Sequence, residues 1–252
     1  MTSDLPGVHA EPLALPGDIL DAAARFADDR GTVLLLSGGD QPGARHHVLG
    51  IWPQVTVAGG RTGGTVSADG RDESFDGDPF PVLAGLLRRL RLPPQDELPL
   101  TGGLLGYLAY DLGSRVEAVP RTAGDDLDLP WLLLFAPSVL VVQDRASGEA
   151  RLLQPAWPGV DARATRERFL AALHGPEPRR TADPATRPAP DVTPDASVSR
   201  AGYEAAVRRI LEHVAAGDVY QVNYTQRFRA PFAGDAFDLL RRLHADNPAA
   251  FF

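Results

Sequence analysis

The chain contains no cysteine. That excludes disulfides, thiol nucleophiles, iron–sulfur clusters and Cys-ligated zinc together. Long apolar runs are missing too. No stretch reaches the ~18 apolar residues of a membrane span, and the longest greasy segment, 131–142, is interrupted by Pro137. Residues 1–16 are polar and proline-containing, with no basic segment leading into an apolar one, so no secretory leader is expected. Basic clusters are equally scarce. Lys and Arg total 25 against 33 Asp and Glu, a net charge of −8. That argues against a nucleic-acid surface, which needs clustered cations for phosphates. It suits a soluble, cytoplasmic protein that handles small molecules, although a positive pocket can sit inside an acidic shell.

The six histidines show no metal-ligand spacing. His46 and His47 are adjacent, which on a strand turns their rings to opposite faces. Neither a Ser-His-Asp arrangement nor an internal repeat is visible. Gly102, Gly103 and Gly106 fit neither a dinucleotide fingerprint nor a P-loop. They read as sites where another element packs on bare backbone. Tyr107 and Asp111 read as a buried hydroxyl and a turn-capping carboxylate, and Asp125, Asp126 and Asp128 as a solvated loop.

What remains is ordinary globular material: 252 residues, 44% hydrophobic, enough for a sizeable core. The pattern predicts an α+β region over 1–160. A helix is expected over 18–29 behind an Asp cap, and strands over 32–37, 45–51 and 54–58, the last two joined at Trp52-Pro53. Residues 59–79 are Gly- and Asp-rich and read mostly as turns. A helix follows over 81–90, a glycine-punctuated strand over 102–110, and a strand pair over 131–143 and 150–154. The span 161–198 reads as a helix over 161–174 and a proline-rich linker over 175–196, too poor in large apolar groups to offset its ordering entropy. Order returns at 199. Ser199 caps a helix carrying Tyr203, Val207, Ile210, Leu211 and Val214 on one face, and Gly217 ends it. A last helix spans 235–246 and stops before Pro248.

The most informative stretch is 217–228. It alternates like a strand, with Tyr220, Val222, Tyr224 and Phe228 on one face and Gln221, Asn223, Thr225 and Arg227 on the other. Two readings of the polar face stand. Gln221, Asn223 and Thr225 help support a polar ligand cavity, or they satisfy a neighbouring edge or loop.

Three separated segments carry a resemblance. The first runs from Ala216-Gly217-Asp218-Val219-Tyr220 through Gln221-Val222-Asn223-Tyr224-Thr225-Gln226-Arg227-Phe228. The second is 101–117, with Gly102-Gly103, Gly106-Tyr107 and Tyr110-Asp111-Leu112-Gly113-Ser114-Arg115. The third is Leu34-Leu35-Leu36-Ser37 with Arg45 and Gly50. In this order they resemble the large subunits of the chorismate-using synthases, aminodeoxychorismate synthase component I and anthranilate synthase component I. The letters Asn223 and Thr225, and Asp111-Leu112-Gly113 before Arg115, resemble the aminodeoxychorismate branch.

The resemblance implies an N-terminal portion of that fold: antiparallel sheets packed as a sandwich with flanking helices, truncated, with 199–252 as the incomplete start of the chorismate-binding domain. It implies an enzyme that aminates chorismate with ammonia from a glutamine amidotransferase subunit, using Mg2+, on the way to 4-aminobenzoate and folate. The family's catalytic and metal-binding motifs lie in its C-terminal half, so no residue here is assigned a catalytic or metal role. The chain alone is expected to be inactive, and poorly soluble or loosely packed. Ser37 and Arg45, with Pro248, Ala250 and Phe251 as the other wall, match the family's tryptophan pocket. The alternative is that Ser37 ends a strand and Arg45 is a surface residue. Departures are Leu36 where anthranilate synthases usually carry Glu, His46 and His47 in place of an aromatic and a small polar residue, and Ala250 where a proline is common. Two other functions fit: anthranilate synthase component I, or a non-catalytic module that senses tryptophan or docks a glutaminase.

Overall fold

The computed structural model describes residues 7–41, 43–90, 92, 98–118, 124–176 and 193–252. The chain divides into two compact units, Met1–Pro178 with Leu243–Phe252, and Arg179–Arg242.

The first unit is an antiparallel sheet of eight strands flanked by helices. Its elements are β1 (Val8–Leu13), α1 (Ile19–Ala24), β2 (Val33–Leu35), β3 (His46–Gly59), β4 (Gly63–Ala68), β5 (Arg71–Asp76), α2 (Phe80–Arg89), β6 (Leu105–Leu108), β7 (Leu132–Asp144), β8 (Ala150–Pro155) and α3 (Ala162–His174). A 3-10 turn, Tyr110–Arg115, follows β6. The main order is β1-β8-β7-β3-β4-β5, with β2 on β3 and β6 on β7. This is the α+β class expected from the sequence.

The sheet is built on two long central strands. β3 and β7 pair from His46 opposite Asp144 to Gly59 opposite Leu132, and the register slips between Pro53 and Val55. Pro53 lies opposite Pro137. Neither proline has an N–H to donate, so both strands lose a ladder bond at one level, and a bulge forms there. Trp52 takes a left-handed backbone, φ 52°. Ser138 Oγ donates to the Trp52 carbonyl at 2.8 Å and satisfies it. The sequence reads two strands joined at Trp52-Pro53; the structure has one strand with a bulge there.

Each long strand changes its outer neighbour across this break. β3 pairs with β2 through Val48–Gly50 and with β4 through Val55–Gly59. β7 pairs with β6 through Leu132–Phe135 and with β8 through Leu140–Gln143. Two apolar clusters result. Val55, Val57, Leu132 and Leu134 pack with Leu83 and Leu86 of α2 and with Leu90 just after it, and Val48, Leu140, Val142 and Leu153 form the other with Leu105.

Two elements were not legible as strands in 59–79. β4 and β5 form a hairpin whose loop is Asp69-Gly70, at φ 53° and 70°. Both residues carry the positive φ that a two-residue hairpin turn needs, which is why Asp-Gly serves there. β1 was also missed, because it is short and carries Pro12. It runs at the sheet edge on β8, where a missing N–H costs little.

The helices follow their caps. Asp18 and Asp21 form a reciprocal capping box on α1. The helix ends at Ala24, earlier than its pattern implies, and continues in turns whose Arg25 and Phe26 N–H groups donate three residues back. Asp161 caps α3. Phe169 and Leu173 of α3 are fully buried, and Phe169 stacks on Phe26 with centroids 5.6 Å apart. Arg166 of α3 pairs with Glu11 of β1 at 2.6 Å, which lowers the Glu11 pKa. That packing carries the first unit past residue 160.

The second unit, described from 193, holds β9 (Asp195–Ala196), α4 (Arg200–Ala216), β10 (Phe228–Arg229) and the first turns of α5 (Ala236–Asp246). Ser199 accepts from the Gly202 N–H and starts α4. Gly217, at φ 82°, ends it as the sequence pattern requires. No described residue of this unit is buried. The expected strand over 217–228 is not a strand: only Phe228–Arg229 pairs, with Asp195–Ala196. A strand exists through the backbone groups it can pair with, and among the described residues of this unit 195–197 supplies them only to Arg227–Arg229. Most of the expected linker, 177–192, lies outside the described residues.

Candidate functional site

The site is assembled where β2 ends. Leu36 and Phe252 exchange both backbone hydrogen bonds, N–H to O at 2.9 and 2.8 Å. The segment 247–252 thus lies along the loop that leaves β2. Close approach depends on Gly38: a Cβ placed there would sit 2.9 Å from Pro248 Cα. Gly39 has φ +64°, and a Cβ on Gly43 would meet the Phe251 ring at 3.8 Å. Three of the five expected pocket residues, Ser37, Pro248 and Phe251, therefore belong to two facing walls. Ala250 lies on the same segment, half-buried, while Phe251 is 83% exposed and only grazes the loop.

Ser37 is buried, 7% exposed. Its Oγ donates to the His46 carbonyl at 2.8 Å, and its N–H donates to His47 Nδ1 at 3.1 Å. The hydroxyl keeps its lone pairs for a further donor. Burial, then the nearby Arg145 and His244, push the His47 pKa down to about 4, with Asp18 pulling the other way. His47 is neutral at pH 7.

Arg45 goes elsewhere. Its Nε donates to Asp144 Oδ2 at 2.7 Å, and its side chain is largely exposed. That bond, with N–H donors from Ser147 and Ala146, lowers the Asp144 pKa to about 2. Arg45 and Asp144 line a separate cleft of about 390 Å³ with His46, Val142, Glu149 and Arg151. The arginine that braces the loop is Arg145. Its guanidinium donates to the Gly39 and Ala44 carbonyls, and its N–H donates to the Arg45 carbonyl at 2.9 Å. Sequence reading took Arg145 as part of a turn, and no local signal marks a side chain acting on carbonyls a hundred residues away. His244, whose ring faces His47, was missed for the same reason.

Gln221, Asn223 and Thr225 lie in the second unit, exposed. Gln221 Nε2 donates to Asn223 Oδ1 at 3.3 Å. Asp218 meets His213 at the start of the stretch and Tyr224 packs on Tyr203 at 5.2 Å; at the far end Ser197 N–H donates to the Arg227 carbonyl at 2.9 Å and Arg227 N–H to Ser197 Oγ at 3.0 Å. Among the described residues no group of three or more His, Asp or Glu side chains is placed to hold a metal ion. No described helix is long and apolar enough to cross a membrane.

The family model for chorismate binding enzymes matches residues 40–252. The chain belongs to the chorismate-binding enzyme family. It is 33% identical over 258 aligned residues to anthranilate synthase component 1 of Cereibacter sphaeroides, covering 95% of this chain and 50% of that relative. It is 29% identical to aminodeoxychorismate synthase component 1 of Escherichia coli K12, over 87% of this chain and 46% of that one. Its fold matches the crystal structure of anthranilate synthase component I from Streptococcus pneumoniae TIGR4 with a TM-score of 0.66 at 22% identity, covering 94% of this chain and 53% of that one. The chain spans about half the length of these relatives.

Proposed function

We propose that this chain is the N-terminal part of aminodeoxychorismate synthase component I. The complete protein would replace the C4 hydroxyl of chorismate with ammonia and release water. A glutaminase partner would supply the ammonia, and the product would lead to 4-aminobenzoate. Membership of the chorismate-binding family supports the substrate. The described residues do not fit a Mg2+ site, so we derive no step through the metal and place its ligands in the family's second half.

One observation carries the branch. Leu36, where anthranilate synthases usually carry Glu, is buried, 2% exposed, and pairs through its backbone with Phe252. An apolar residue there offers no carboxylate to an amino acid's ammonium group. The Asn223 and Thr225 letters favour the same branch. The second reading is anthranilate synthase component I, favoured by the relative of that name aligned over 95% of the chain. Product analysis separates the two. Anthranilate is fluorescent and appears directly with pyruvate, whereas 4-amino-4-deoxychorismate keeps its pyruvyl group until a lyase removes it. Fluorescent product with no added lyase would reject the proposal.

The loop 37–39 with Gly43, facing the segment 247–252, is proposed as a pocket for an aromatic amino acid, with the Ser37 hydroxyl accepting from its ammonium group. The approach of Pro248 and Phe251 to Gly38 and Gly43 supports this; the pairing of Arg45 with Asp144 and the apolar Leu36 do not. Calorimetric titration with millimolar tryptophan tests it, and absence of heat removes the pocket.

A further inference from the structure

Behind the Ser37 loop, side chains distant in sequence meet. His47 lies on β3, His244 in the last turn of α5, and Phe252 at the end of the segment 247–252. The His47 and His244 rings stand edge to face with centroids 6.1 Å apart. His244 in turn packs on Phe252 at 5.2 Å. Phe252 holds Leu36 through the two backbone bonds, and Ser37, the next residue, donates its N–H to His47 Nδ1. The chain of contacts closes into a ring joining the loop, the strand, the helix end and the segment.

The ring works only with His47 neutral. Nδ1 must present a lone pair to the Ser37 N–H; a proton there would set donor against donor at 3.1 Å. The charged or titratable groups facing His47 are Arg145 from the β7–β8 turn, His244 from α5 and Asp18 at the start of α1. Two of the three oppose a positive charge on the ring. His244 Nδ1 is itself buried and has no hydrogen-bond partner among the described residues.

We propose that His47 and His244 form an acid-released latch, which holds the segment 247–252 on the loop 36–39 while His47 is neutral and frees it on protonation. With the latch closed, His47 titrates near 4; freed, it returns toward its ordinary value of about 6.5. The open form takes up the proton first. Closure is therefore full above about pH 6.5 and is lost as pH falls toward 4. Across that window the closed-to-open ratio falls by up to about tenfold per pH unit, and by less in practice because His47 is only half-buried. The latch does not depend on what the pocket holds.

Amide hydrogen exchange of the 252-residue chain by NMR, corrected for intrinsic rates, tests this directly. Protection of the Leu36 and Phe252 amides is expected to fall at least tenfold between pH 6.5 and 4.5, while the β3–β7 ladder stays protected. His47→Asn can put its Oδ1 where Nδ1 now accepts the Ser37 N–H, but it cannot ionise. It is expected to keep protection at pH 7 and to lose the pH dependence. His244→Phe keeps a ring against Phe252 and removes one opposing charge, so the midpoint is expected to fall with closure retained. The His47 ring resonance must titrate together with the opening. Flat wild-type protection, or a His47 ring that titrates while Leu36 and Phe252 stay protected, would overturn the latch. An unchanged pH dependence in both variants would overturn it as well.

Discussion

The two units of this chain obey the same local rules and reach different ends. In the first, β3 and β7 carry Leu49, Ile51, Val57, Leu132 and Leu140, all fully buried. In the second, α4 has a proper cap at Ser199 and a left-handed glycine at its end, yet buries nothing among its described residues. Of its apolar stripe, Tyr203, Val207 and Ile210 are half-buried, with Tyr203 packed on Tyr224, while Leu211 stays 61% exposed. Local signals therefore decide where a helix begins and ends, but burial depends on what else the polypeptide supplies. The first unit supplies its own partners. The second carries the family's most recognisable letters with no fully buried residue among those described.

The sharpest way to break this contrast is to truncate one large side chain in each unit. Phe169→Ala removes the ring stacked on Phe26 and is expected to cost about 3–5 kcal/mol in urea unfolding. Leu211→Ala is expected to change stability by less than about 0.5 kcal/mol. Comparable losses would mean that α4 is packed in solution. Next in size is Gly38→Ala, whose new Cβ meets Pro248 Cα at 2.9 Å. A loss of about 1–3 kcal/mol from overpacking is expected, with the 247–252 amides deprotected; unchanged protection there would show that this approach is not tight. Ser199→Ala removes the side-chain acceptor for the Gly202 N–H. Its expected effect is about 1 kcal/mol on α4 alone, read as lower helicity in circular dichroism with the first unit's unfolding midpoint unmoved. The smallest effect is Asp144→Asn. Asp144 titrates near 2 when folded because of Arg45 and the Ser147 and Ala146 N–H groups. Its lowered pKa adds stability that is full above about pH 3.8 and lost as pH falls toward 2. The Asn variant should flatten that part of the pH profile, and an unaltered profile would show that the pair contributes nothing.

Much of the fold was legible because its signals are local. The caps at Asp18 and Ser199, the Gly217 stop and the strand pair around 145–148 could all be read from neighbouring residues. What escaped was non-local or read by composition. The β4–β5 hairpin was hidden by its glycines, although Asp69-Gly70 announced it. The β3 bulge needed Pro137 to be placed opposite Pro53. At the site, Ser37, Pro248 and Phe251 came from the resemblance. Arg145, His47 and His244 act across loops that no sequence window spans. Arg45 was placed in the pocket by resemblance, and the structure gives it to Asp144 instead. The stretch 217–228 was legible as a pattern but not as a strand, since alternation marks two faces without supplying a neighbour for either.

The most direct test of the account is turnover of chorismate with ammonium and Mg2+, run in parallel on the purified 252-residue chain and on the complete protein carrying the family's second half. The account predicts 4-amino-4-deoxychorismate from the complete protein and no product from the 252 residues alone. Steady amination by the 252-residue chain would contradict it, because the chemistry would then reside in a half to which we assign none.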